Sequence, residues 1–89
     1  MTRILVIEDD TAIRDTVTDI LEFAGYTVLK ASNGIIGLEV AQTELPDLIL
    51  CDIMLPGLDG YGVKLALNNA PQVSSIPFIF ITARAARED

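Results

Sequence analysis

Short unbroken apolar runs, ILVI at 4–7, LILC at 48–51 and IPFIFI at 76–81, alternate along this chain with segments whose apolar residues recur at helical spacing. Such a run has no polar face, so a strand built from it must be covered on both sides, as the strands of a parallel sheet are. After the first run, Ile13, Val17, Ile20, Leu21 and Ala24 form a helical stripe, with Arg14, Asp15, Asp19 and Glu22 on the other side and Gly25 where a cap would sit. YTVLKA at 26–31 reads as a second strand. Ser32 or Asn33 then caps a helix running to about Leu45, with Leu38, Ala41 and Leu45 as its core stripe, and Pro46 ends it. LILCD at 48–52 is a third strand. Asp59 caps a helix over residues 60–69 that buries Val63 and Leu67, its first turn weakened by Gly60 and Gly62. Beyond the polar linker NNAPQVSS, IPFIFIT at 76–82 reads as a fourth strand, and ARAARED as the opening of another helix. This alternation predicts an α/β fold, a doubly wound parallel sheet with helices on both faces joined by right-handed crossovers.

The 89 residues suit a single domain over 1–89, which would bury about 60–65% of its unfolded surface. With 51% hydrophobic and 21% charged residues the composition is globular. No apolar run approaches the roughly 20 residues needed to cross a bilayer, and the N-terminus lacks the order of a signal peptide, so a cytoplasmic protein with no membrane contact is expected. The single cysteine, Cys51, cannot form an internal disulfide and reads as a small buried hydrophobe. Without histidine or a second cysteine, a zinc site is excluded. A net charge of −7 with only six scattered Lys and Arg argues against direct nucleic-acid binding. Ile35 and Ile36 fall beside the core stripe of their helix, so at least one should face outward.

In a doubly wound sheet, function gathers at the carboxyl ends of the strands. The first strand ends in Glu8, Asp9 and Asp10, the third in Asp52 and the fourth in Thr82. If the first and third strands are neighbours, Asp9 approaches Asp52 with Glu8 close by. Like charges a few Å apart cost on the order of a few kcal/mol at an effective dielectric near 20, so the group needs a neutralising partner. A hard divalent cation such as Mg²⁺ suits an all-oxygen site. Each residue alone also has a plain structural reading: Asp10 as a helix cap, Thr82 as a strand end, and Pro56, Gly57 and Gly60 as a tight turn. The combination is what points to chemistry.

ILVIEDD at 4–10, DIMLPGLDG at 52–60 and the pair Thr82–Ala83 resemble the receiver domain of two-component response regulators. The resemblance implies a flavodoxin-like sheet in the strand order 2-1-3-4, with the fifth strand and last helices of the family missing. It implies that Asp52 is the phosphoacceptor, attacking a phosphohistidine on a sensor histidine kinase or phosphotransfer protein. Asp9 and Asp52 would then hold Mg²⁺ directly, Glu8 through water, and the backbone carbonyl of Met54 would be a further ligand. Thr82 would hydrogen-bond a phosphoryl oxygen. Such a module assists its own phosphorylation and turns over no substrate.

The family's lysine at the end of the fifth strand has no counterpart, since neither Lys30 nor Lys64 occupies a matching position. A fourth strand left as an edge would expose PFIFI, so self-association through that strand is expected. The same residues bear on three other functions. A receiver-derived assembly piece would keep the acids without switching. An aspartate-nucleophile phosphatase would want an acid at position 54, which is methionine, and a nucleotide-binding loop would want glycine within EDDTAIRD, which has none.

Overall fold

The computed structural model describes residues 1–81. Thr82, Ala83 and the helix expected over ARAARED lie outside the described residues. The elements run β1 (Arg3–Ile7), α1 (Thr11–Phe23), β2 (Thr27–Ala31), α2 (Gly34–Glu44), β3 (Leu48–Asp52), α3 (Gly60–Asn68) and β4 (Phe78–Ile81). The strands pair in parallel in the order β2-β1-β3-β4, the order that the resemblance implied. Two differences in extent have simple causes. Tyr26 is still in the turn that leaves α1, donating its N–H to the carbonyl of Leu21. Ile76 closes a turn onto Val73, and pairing with β3 begins only where Ile49 donates to the carbonyl of Pro77.

The central strand β1 is buried on both sides: Ile4, Leu5, Val6 and Ile7 are all at most 2% exposed. Leu5 and Ile7 join Ile49 and Cys51 of β3 in a core closed by Ala41, Leu55, Val63, Leu67 and Val73. Ile4 and Val6 point to the other face, which α1 covers through its contacts with β1 and β2. The alternation of side chains along a strand makes this division, and the winding of α1 and α2 in opposite directions from β1 sets which helix lies on which face.

The helices are less regular than their spacing suggested. Ile20 is 62% exposed, and Ala24, the helix cap, is also exposed. The buried residue of α1 is Thr18, whose hydroxyl oxygen has no hydrogen-bond partner among the described residues. In α2, Leu45 is not part of the core stripe. It is a half-exposed left-handed cap with φ 50°, and the buried face is made by Gly34, Gly37 and Ala41. Small residues stand there because the helix presses on its neighbours: a Cβ at Gly37 would lie 2.5 Å from the Cδ1 of Ile7. Ile35 and Ile36 are both exposed, as one of them had to be.

The amino-terminal end of β1 is fastened to the end of α2. Arg3 donates its backbone N–H to the Asp47 carboxylate at 2.8 Å, and its guanidinium meets the Glu44 carboxylate at 3.2 Å and the carbonyls of Glu44 and Leu45. A cation on the last carbonyls of a helix complements the dipole, although a pair this exposed contributes under about 1 kcal/mol. Among the described residues, no helix is long and apolar enough to cross a membrane.

Candidate metal and phosphoryl site

The opposite end of β1 carries the acids. Ile7 pairs with Cys51, so the residues that follow, Glu8 and Asp52, arrive at the same edge of the sheet. One carboxylate oxygen from each of Glu8, Asp9 and Asp52 lies within 4.8 Å of the other two. Glu8 is 0% exposed and Asp52 1%, while Asp9 is half-buried and forms the open side of the group.

Local structure holds each of them. The Glu8 N–H extends the ladder onto the carbonyl of Ala31 at 3.0 Å. One Glu8 carboxylate oxygen accepts the N–H of Asp10 at 2.9 Å, and Asp10 caps α1 by accepting from the N–H of Ile13 at 3.0 Å. Asp10 therefore has the capping role expected of it, and the acidic group proper is Glu8, Asp9 and Asp52. Asp52, the last residue of β3, accepts the Met54 N–H at 3.3 Å. The loop after it is pinned by buried Leu55, turned at Gly57 with φ 73°, and closed by Gly60 donating to the carbonyl of Ile53 at 2.9 Å. Asp59 caps α3 through the N–H of Gly62. The Met54 side chain is 57% exposed, so its identity is not fixed by packing. Thr82 lies beyond the described residues.

Burying carboxylates is costly unless cations or hydrogen bonds compensate them. Two buried carboxylates and a third at the rim, all converging and all oxygen, fit a hard divalent ion of the Mg²⁺ type that keeps some of its waters. Lys64 is engaged elsewhere, its Nζ 5.4 Å from the centre of the Phe78 ring. Cys51, fully buried next to Asp52, has its thiol pushed up from 9.0 to about 12, chiefly by burial and then by the charges of Asp52, Glu8 and Asp59. It is a hydrophobe and no nucleophile at neutral pH.

Helical spacing puts Arg14 on the side of α1 opposite the apolar stripe, yet it is half-buried and its Nη1 donates to the carbonyl of Glu8 at 2.8 Å, a reach that spacing does not record.

The chain matches the family model of the response regulator receiver domain over residues 4–89. It is 44% identical to the DNA-binding dual master transcriptional regulator RpaA of Synechocystis sp. over 100% of its own length, but spans only 37% of that protein. It is 38% identical to Protein PilH of Pseudomonas aeruginosa, again over 100% of its length, and spans 74% of it. Its structure superposes with a TM-score of 0.90 on the N-terminal domain of a response regulator receiver protein from Methanoculleus marisnigri, at 33% identity, covering 94% of this chain and 68% of that one. For the chemotaxis protein CheY4 of Vibrio cholerae the TM-score is 0.86 at 28% identity, with 97% and 74% covered. With its sheet order, its acids at the β1 and β3 ends and these matches in agreement, the chain belongs to the response regulator receiver domains, the signalling modules of two-component systems.

Proposed function

We propose that the chain is a phosphoacceptor module in which Asp52 takes a phosphoryl group from a phosphohistidine on a sensor histidine kinase or phosphotransfer protein. The observation that carries this reading is the convergence of Glu8, Asp9 and Asp52, with Asp52 fixed at the end of a buried strand. A carboxylate oxygen of Asp52 forms the new O–P bond as the N–P bond of the donor breaks, and the electron pair stays on the imidazole nitrogen. Asp9 and Asp52 would hold Mg²⁺, with the Met54 carbonyl as a further ligand and Glu8 acting through water. Bound there, Mg²⁺ supplies shielding of carboxylate from phosphate and stabilises the charge on the transferring oxygens. The sheet aims Asp52, the Met54 N–H steadies one of its oxygens, and Thr82 hydrogen-bonds the phosphoryl group. The rival reading, an assembly piece that keeps the acids without switching, shares the family match and the acidic set, and is separated from this one by whether Asp52 takes up phosphate in the presence of Mg²⁺. Self-association of this 89-residue chain along β4 is a further part of the proposal, since the outer edge of that strand pairs with none of the described residues.

Intact mass after incubation with a small-molecule phosphodonor tests the reading. A gain of one phosphoryl group is expected in the parent with Mg²⁺, and none in Asp52→Asn or in EDTA. An equal gain in Asp52→Asn, or no gain in the parent, overturns it.

A further inference from the structure

We propose that Arg14 is a positioning residue for the metal-binding acids, holding the Glu8 backbone so that its carboxylate stays aimed at Asp9 and Asp52. This rests on the reading of Glu8 as a member of the Mg²⁺ set. Three hydrogen bonds make a closed ring. The Asp10 N–H donates to the Glu8 carboxylate at 2.9 Å, the Arg14 N–H donates to the Asp10 carbonyl at 2.9 Å, and the Arg14 Nη1 returns to the Glu8 carbonyl at 2.8 Å. The first turn of α1 thus grips Glu8 by its side chain and its main chain at once. Three residues beyond the end of β1, Asp10 starts the cap of a helix, and there the chain has left the ladder that held Glu8 on one side through Ala31. A planar guanidinium suits the task, because it is charged at every working pH and presents donors in a fixed fork.

Two effects of Arg14 on a bound cation oppose each other. Its charge repels Mg²⁺, while its grip on Glu8 lowers the cost of organising the acids. Hydrogen-bond partners that orient metal ligands typically change affinity by about 10–100-fold when removed. The repulsion acts from a half-buried side chain and is partly screened by salt, so it offsets only part of that range. The grip is therefore the larger effect, and loss of Arg14 should weaken the metal site although it removes a repelling charge.

The test titrates the unphosphorylated chain with Mg²⁺ alone by calorimetry, in the parent, Arg14→Met and Arg14→Lys, and records thermal melting of each in EDTA. The Mg²⁺ Kd is expected to rise about tenfold in Arg14→Met and to return to within about threefold of the parent in Arg14→Lys, whose ammonium still donates to the Glu8 carbonyl. A brace that only joined helix to strand would lower the melting temperature in EDTA and leave the Kd of the folded protein unchanged. A Kd for Arg14→Met within twofold of the parent, or tighter, overturns the inference. Should Arg14→Met fail to fold, Arg14→Gln is judged by the same limits. A parent that binds no Mg²⁺ overturns the reading of the site and this inference with it, whereas a parent that binds beside an unaltered Arg14→Met overturns this inference alone.

Discussion

Cys51 and Asp52 are adjacent, buried and opposite in chemistry: the sheet alternation turns the thiol into the core and leaves the carboxylate at the strand end. Because the folded thiol titrates near 12 and the unfolded one near 9.0, only the unfolded chain loses this proton between those values. The thiol's contribution to stability is complete below pH 9 and falls by about 1.4 kcal/mol per pH unit above it. Urea unfolding of the parent and Cys51→Ala should show a gap that is constant from pH 7 to 9 and narrows from pH 9 to 10.5. A gap that stays constant throughout contradicts it. At this scale the sequence was legible where a residue broke a pattern. Glu8 and Asp52 stood out because each ends an apolar run that has no local reason to end in charge, and Asp9 because it follows Glu8. Arg14 broke no pattern. It sat among polar neighbours on a helix, and its reach back to Glu8 depends on the bend between strand and helix, which no spacing records.

The start of α3 shows why two glycines in one helical turn are not equivalent. A Cβ at Gly60 would run into the backbone of Asp52 and lie 2.8 Å from the Cα of Ile53, whereas at Gly62 its nearest neighbour would be the Cδ1 of Leu58 at 2.5 Å. Alanine in place of glycine in a helix gains about 1 kcal/mol, and overpacking against rigid atoms costs about 1–3 kcal/mol. Backbone cannot give way, but the far end of a half-buried leucine can rotate. Gly62→Ala should therefore unfold in urea within about 1 kcal/mol of the parent, while Gly60→Ala should lose about 2 kcal/mol and take up phosphoryl more slowly, because the displaced backbone belongs to Asp52, the proposed phosphoacceptor. The elements themselves were readable, the strands from their uninterrupted apolar runs and α3 from Asp59, Val63 and Leu67. The faces of α1 and α2 were not. Close approach of α2 to Ile7, Leu58 and Val63 favours Gly34 and Gly37 over larger apolar residues, and α1 leaves Ile20 outside while burying Thr18, an inversion that a search for apolar periodicity cannot find.

The described part of the molecule is a slab, 38 × 30 × 17 Å, covered unevenly. The α2 and α3 side holds the closed core. On the α1 side, Leu48 and Leu50 are half-buried and Ile79 is 51% exposed, and a groove of about 340 Å³ runs beside Ala12, Ile13, Thr16 and Val17. An unpaired strand edge next to exposed aliphatics favours association. Light scattering of the 89-residue chain at micromolar concentration should give a mass above that of the monomer, and Ile79→Lys should lower it. A monomeric parent contradicts this. The pairing of β1 with β3, which joins Ile7 to Cys51 across the whole of α1, β2 and α2, carries one more consequence, in time. Local turns and helices form early, whereas parallel strands distant in the chain must first close a long loop. Until that closure Glu8 and Asp52 are strangers on one thread, so no partly folded form lacking it can possess the acidic cluster, and the chain acquires its chemistry only when its central strands have met.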